Sequence, residues 1–207
     1  MYLLEKDGID AKLLSILSVE SKKGYNLRKT LRHFDKNILI EEACQIAEYY
    51  DGLENVLDEV SADYRIKSAQ SIVMKYDRYY PVTEAEKVFN DIIGFRLLCS
   101  SYEQILCTRE EFFRTANMAN GKKNDDGYRG VHLYYQPSHR HYPIEFQFNT
   151  FYDRQCNDWL HIFVYKRNID PSVGRLLRER YEAGEIHSTE EFKETLRNVL
   201  HHSKGRF

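Results

Sequence analysis

The chain has 207 residues, 42% of them hydrophobic and 30% charged, with a formal net charge of −2. That balance fits a folded protein with one good core and excludes a disordered chain; it also excludes a uniformly basic nucleic-acid binder, though not a local basic patch. No N-terminal apolar stretch resembles a signal peptide and no run approaches the ~20 apolar residues of a membrane span, so no membrane partner and a cytoplasmic location are expected.

Residues 9–34 and 38–60 read as two amphipathic helices. The second is drawn from Ile38, Ile40, Ala43, Ala47, Tyr50, Leu53, Val56 and Val60 at roughly helical spacing. Ser68 is a candidate N-cap for a third helix reaching about Tyr79, which Pro81 ends. A short helix at 82–89 leads into the apolar, strand-length run 92–99, and 101–116 reads as helical again. A polar, glycine-bounded loop at 117–127 precedes strands at 128–136 and 143–149. Helices at about 151–166, 171–183 and 188–202 finish the chain. The expected fold class is α+β, a small mixed or antiparallel sheet flanked by helices in one domain. Cys44, Cys99, Cys107 and Cys156 lack metal-type spacing and read as buried free thiols of a reducing compartment.

Five clusters carry candidate chemistry. On the strand 144–150, Glu145, Gln147 and Asn149 alternate with Ile144, Phe146 and Phe148; they form either a solvated face or a functional one. Asp91, at the mouth of the strand 92–99, is either a turn residue or a partner for Glu145 in holding Mg²⁺, a cation content with one or two carboxylates. Lys67, Ser71 and Lys75 recur every four residues, with Arg65 just ahead. They make a solvated basic face or, because they begin at a helix N-terminus, a seat for an anion such as triphosphate. Residues 21–36 gather Lys22, Lys23, Arg28, Lys29 and Arg32 against one acid, Asp35, on an expected helix whose inner stripe is Leu27, Leu31 and Phe34. This is a solvated face or a phosphate-backbone contact. On the expected strand 128–136, Tyr128, Gly130, His132 and Tyr134 would share one side, an aromatic plate followed by an imidazole.

Together these clusters resemble the synthetase domain of the RelA/SpoT family, in order from about Tyr64 to Tyr165. Arg65-Xaa-Lys67 with Ser71 and Lys75 is similar to the family's ATP-binding segment; Asp91-Ile-Ile-Gly-Phe-Arg96 resembles its Mg²⁺-ligand strand. Gly127-Tyr128-Arg129 with His132 resembles the segment whose tyrosine stacks on the acceptor base, and Glu145-Xaa-Gln147 the motif with the essential glutamate. The resemblance implies a nucleotidyltransferase-like fold in a single synthetase domain: an N-terminal helical extension over about 1–62, a catalytic core over about 63–167 and C-terminal helices over about 168–207. It implies an ATP-dependent pyrophosphokinase that moves the β,γ-pyrophosphate of ATP to a ribose 3′-hydroxyl and releases AMP. Asp91 and Glu145 would be catalytic and hold Mg²⁺, with Arg65, Lys67, Ser71, Lys75 and Arg96 on ATP. Tyr128, His132 and Gln147 would face the acceptor.

The chain departs from the family pattern at Asp126, Gly130, Asn149 and Leu160, where Asn, Ser, Arg and Glu are usual, while His161 and Tyr165 stay in register. No His-Asp dipeptide occurs, so the family's hydrolase half is not expected. Because the departures lie on the acceptor side, the resemblance points to the toxic, tRNA-modifying branch. There the acceptor is the 3′-terminal adenosine of tRNA, Lys22, Lys23, Arg28, Lys29 and Arg32 would contact its backbone, and an antitoxin protein would be a partner. The alternatives are a small alarmone synthetase acting on GDP or GTP, and an RNA-binding module without activity.

Overall fold

The computed structural model describes residues 2–204. In chain order the elements are α1 (Tyr2–Glu5), α2 (Ala11–Leu17), a 3₁₀ turn (Leu31–His33), α3 (Lys36–Asp51), α4 (Glu54–Leu57), β1 (Asp63–Ile66), α5 (Ala69–Tyr79), α6 (Ala85–Val88) and β2 (Ile93–Cys99). There follow α7 (Glu103–Cys107), β3 (Phe113–Met118), β4 (Gly130–Tyr135), β5 (Ile144–Thr150), α8 (Phe151–Phe163), a second 3₁₀ turn (Tyr165–Arg167), α9 (Pro171–Glu182) and α10 (Thr189–Lys204). The five strands form one sheet in the order β1-β2-β5-β4-β3, with β1 antiparallel to β2. Helices and sheet together make an α+β fold, as the sequence pattern indicates. No helix among the described residues is long and apolar enough to cross a membrane.

The chain divides into two compact units. One comprises residues 1–97, 107–116 and 132–147; the other comprises 98–106, 117–131 and 148–207. In the first unit the inner face of α3 is Leu39, Ala43, Ile46, Ala47 and Tyr50, and Phe95 of β2 stacks on Phe146 of β5 at 5.4 Å. In the second, Cys156, Trp159 and Leu160 of α8 pack with Val173, Leu177 and Tyr181 of α9 and with Phe192 and Leu196 of α10.

Several elements differ from the pattern read in the sequence. The helix expected over 9–34 is only α2, and Lys22, Lys23, Arg28 and Lys29 lie on an irregular segment, with Arg32 in the 3₁₀ turn. Its backbone bonds elsewhere: Ser21 N–H donates to the Arg140 carbonyl, Leu27 N–H to His139, Leu31 N–H to Thr83, and Glu86 N–H back to Leu27. Leu27 and Leu31 are buried as their spacing suggests, but a segment hydrogen-bonded to other loops has no need of a helical ladder. The expected 38–60 helix is split by the turn at Gly52; Ala43, Ala47 and Tyr50 face inward as read, but at the start Leu39 is buried and Ile38 is 38% exposed. The expected 101–116 helix stops at Cys107. Phe112 turns the chain at φ 69°, and β3 follows. Strand β1, unforeseen, carries Arg65. The third helix is as expected: Ser68 Oγ accepts from Ser71 N–H at its start and Tyr80-Pro81 ends it. All four cysteines are free, but only Cys156 is buried and Cys107 is exposed.

Candidate active site

In the first unit, two charged clusters take shape around the start of β2 and the middle of β5. Asp91 sits in the turn just before β2, and both its oxygens are held by ammonium groups: Oδ2 by Lys67 Nζ at 2.7 Å and Oδ1 by Lys75 Nζ at 2.8 Å. Lys75 also donates to Asn90 Oδ1 at 2.9 Å. Lys67 precedes α5 and Lys75 lies two turns into it, so the helix and the end of β1 deliver one cation each. The Lys67 N–H bond to the Ile92 carbonyl ties the two segments together. Asp91 is thus more than a turn residue, and Lys67 and Lys75 are not a solvated face. Lys67, Ser71, Met74, Lys75, Arg78, Tyr79 and Asp91 line one cavity of about 310 Å³, whose walls mix cationic, hydroxylic and apolar side chains.

Glu145 is buried, 6% exposed. The burial of both faces of β5 settles the question of the solvated face against it: Glu145 and Asn149 are enclosed, and only Gln147 is partly open. Oε1 is engaged by His132 Nδ1 at 3.0 Å and by the Tyr134 hydroxyl at 3.0 Å, while Oε2 accepts from Gln147 Nε2 at 2.6 Å. Burial alone would raise the Glu145 pKa, but the hydrogen bond and charge of His132, then Gln147 and Tyr134, outweigh it and hold the carboxyl below its ordinary value. The Tyr134 phenol is pushed up, first by burial, then by Glu145; Arg114, whose guanidinium lies 4.5 Å over its ring, opposes this, and Asp91 adds to it. Both carboxylates therefore act on one phenol.

Counting lone pairs tests these residues against a divalent cation. Two partners occupy Oε1 of Glu145, whereas Oε2 and each Asp91 oxygen accept once and retain a free lone pair. The space beside Oε2 is kept by Gly94, where a Cβ would come within 3.2 Å of it. Each carboxylate is a hard oxygen donor with a spare lone pair, the kind Mg²⁺ takes while water and phosphate oxygens complete its shell. Among the described residues no group of three or more His, Cys, Asp or Glu gathers, so there is no cage of protein ligands alone.

Arg65 lies opposite Gly94 and Arg96 opposite Asp63 in the β1–β2 pairing, so both arginines stand on the Gly94 face. Arg96 lines a separate cavity with Asp58, Asp63 and Tyr64 rather than the one around Asp91. His132 and Gln147, expected to face an acceptor, are both hydrogen-bonded to Glu145. Tyr134 shares the expected face of Tyr128 and His132 but carries no site role in the sequence reading, and the helical reading of 101–116 hides Arg114.

The second unit holds Tyr128. Gly127 has φ +88°, and Tyr128 N–H donates to Asp126 Oδ1 at 3.2 Å. Lys122 Nζ lies 5.0 Å over the Tyr128 ring and 2.7 Å from Asp126 Oδ2. Two of the departures from the family pattern form one packing unit here. A Cβ on Gly130 would fall 2.8 Å from the Tyr128 hydroxyl and 2.6 Å from Asn149 Nδ2, and Asn149 itself reaches that hydroxyl at 3.4 Å. A third, Leu160, fills the crossing of Gly127 and Gly174 with its methyl groups. The basic residues expected on nucleic acid are exposed in the first unit. Of these, Arg28 lies 3.7 Å from Glu86, and Lys22 Nζ donates to Gln45 at 3.2 Å.

A model of the region found in RelA / SpoT proteins matches residues 64–170. No curated protein matches the chain. Among solved structures, small alarmone synthetase 1 from Bacillus subtilis bound to its product pppGpp is similar at 18% identity, over 81% of this chain and 95% of that one, with a TM-score of 0.43. Small alarmone synthetase 2 from the same organism aligns at 21% identity over 82% and 98%, TM-score 0.43. A GTP pyrophosphokinase family protein from Streptococcus pneumoniae aligns at 16% identity over 82% and 95%, TM-score 0.40. The family match spans the Asp91 and Glu145 clusters and the Tyr128 segment alike.

Proposed function

The chain belongs to the RelA/SpoT family of pyrophosphokinases, and from that premise we propose that it transfers the β,γ-pyrophosphate of ATP to a ribose 3′-hydroxyl. The hydroxyl oxygen bonds to the β-phosphorus, the bond from that phosphorus to the α,β-bridging oxygen breaks, AMP leaves and the hydroxyl proton is lost. The observation that carries this reading is that one compact unit holds both a buried Glu145, its carboxyl kept below the ordinary value, and an Asp91 bracketed by Lys67 and Lys75.

Lys67 and Lys75, with Ser71 and Arg65, would take the triphosphate, exchanging a carboxylate partner for phosphate oxygens; Met74 and Tyr79, also in the cavity wall, would offer apolar surface to the rest of the nucleotide. Arg96, on the same sheet face as Arg65, would serve ATP from the β2 side. As the lysines turn to phosphate, the Asp91 oxygens become available. Asp91 and Glu145 would hold Mg²⁺, which when bound offsets the charge of the transferring group. Glu145 stays ionised through the neutral range and accepts a hydrogen bond from the attacking hydroxyl. His132, Tyr134 and Gln147 fix its orientation.

Tyr128 is the platform for the acceptor base. The acceptor we propose is the 3′-terminal adenosine of tRNA. It is supported by the departures gathered around Tyr128 and by the exposed cations Lys22, Lys23, Arg28, Lys29 and Arg32, suited to a polyanion even without a helix beneath them. On that reading the protein is a translation-inhibiting toxin with a cognate antitoxin as partner. Incubation with γ-labelled ATP, GDP and deacylated tRNA together decides the acceptor: label on tRNA supports the proposal, and label on the guanine nucleotide replaces it with a small alarmone synthetase.

A further inference from the structure

The second unit contains a fully buried arginine that the chemistry above does not use. Arg178 of α9 is 0% exposed. Burying a guanidinium is costly unless its donors are met, and a leucine would fill the space more cheaply. Its fork is instead spent on three acceptors: the Gly127 carbonyl from Nε at 2.7 Å, Asp153 Oδ1 at 2.9 Å and Asn157 Oδ1 at 2.7 Å. The Gly127 carbonyl belongs to the peptide group that leads directly into Tyr128.

The neighbouring peptides are held in the same manner. The Tyr165 hydroxyl donates to the Asp126 carbonyl at 2.8 Å. Asn157 accepts from Arg129 N–H at 3.2 Å and donates to the Arg129 carbonyl at 2.7 Å, where Asn149 joins it at 2.8 Å. Sterics enforce the same placement: a Cβ on Gly174 would run into the Asp126 carbonyl, and one on Gly127 into the carbonyl of Gly174. Thus, on either side of Tyr128, the backbone from Asp126 to Arg129 is pinned by side chains from α8, the following 3₁₀ turn and α9, and the half-buried tyrosine ring is carried on a braced stretch. Loops that bind without such bracing must be ordered on binding, which weakens affinity.

We propose that Arg178, Asn157 and Tyr165 are positioning residues for the acceptor, and that α8 and α9 set acceptor affinity by holding the 126–129 backbone. This rests on the reading of Tyr128 as the acceptor platform. The test measures steady-state kinetics on the full chain, with GDP and deacylated tRNA varied in turn, for Tyr165→Phe, Arg178→Lys and Tyr128→Ala, together with amide exchange over 126–130. Losing one hydrogen bond of this kind should raise acceptor KM roughly two- to tenfold. KM for ATP should stay constant and exchange at 127–130 should quicken. Tyr165→Phe removes a single oxygen and keeps the test open should Arg178→Lys fail to fold. Acceptor and ATP KM rising together, or neither moving while exchange quickens, overturns the positioning role. If Tyr128→Ala leaves acceptor KM unchanged, the platform reading fails and this inference with it; a Tyr128→Ala effect without one from Tyr165→Phe or Arg178→Lys removes the inference alone.

Discussion

The Glu145 cluster and the Tyr128 segment both spend many hydrogen bonds on one side chain, but in opposite ways. Around Glu145 the partners bind the side chain itself: His132, Tyr134 and Gln147 all reach its carboxylate, and the result is a firm anion at a fixed place. Around Tyr128 the helical partners bind backbone: Tyr165, Arg178 and Asn157 reach carbonyls and an amide of its neighbours, while the half-buried ring itself meets Asn149 at its hydroxyl and Lys122 over its face. The first arrangement suits a group that must keep its charge. The second suits a surface that must keep its position while a flat ring comes and goes. Chemistry and recognition therefore call for different supports, and substitutions in the two regions should separate kcat from KM.

The largest effect should come from Glu145→Gln. Losing the anion should lower the rate of AMP release at saturating substrates by on the order of a thousandfold or more, several kcal/mol of barrier, with far-UV circular dichroism unchanged. A loss under tenfold would break the contrast between the regions. Asp91→Asn comes next: it takes the anion from between Lys67 and Lys75, and the Mg²⁺ concentration for half-maximal activity should rise roughly tenfold or more. Unaltered Mg²⁺ dependence would remove Asp91 from the metal. Tyr128→Ala should raise acceptor KM by about 5- to 150-fold, the range of one lost base stack at ~1–3 kcal/mol, with ATP KM untouched.

A pH profile sharpens the comparison further. The Glu145 pKa is depressed in the folded protein, so its contribution to stability is present above the unfolded carboxylate value and is lost as pH falls through the lower, folded one. The acid limb of kcat should therefore lie below the ordinary carboxylate range. His132→Ala, which withdraws the leading cause of the depression, should move both the acid limb and acid unfolding to higher pH. An unmoved limb would mean that another group sets it. The smallest effect on stability should follow charge reversal at Arg28, Lys29 and Arg32, within about 0.5 kcal/mol because all three are exposed. The same variant should still weaken transfer to tRNA and not to GDP; equal loss with both acceptors would separate this segment from nucleic acid.

The site was more legible than the frame around it. Asp91, Glu145, Lys67 and Lys75 are conspicuous because charged residues beside strand-like apolar runs are uncommon, and the structure brings each into an ion pair or buried network. What escaped was set by distant partners. Residues 9–34 have the apolar spacing of a helix, yet beyond α2 the Ser21 and Leu27 N–H groups donate to carbonyls over a hundred residues away, Leu31 N–H donates to Thr83, and the Leu27 and Lys29 carbonyls accept from Glu86 and Ala85. Strand β1 is four residues long and amphipathic, too short to declare a period. Strand β3 starts only because Phe112 adopts a positive φ. Likewise Arg178 looks like one more charge on a C-terminal helix, and only the approach of Gly127 to Gly174 makes its burial sensible.

The account stands most directly on the fate of the label in a single-turnover reaction with ATP labelled at both the β and γ positions. It predicts unlabelled AMP formed one for one with an acceptor carrying both labels, and no AMP from Glu145→Gln on the same timescale. Labelled ADP with a singly phosphorylated acceptor, or AMP released at the unaltered rate by the variant, would contradict it.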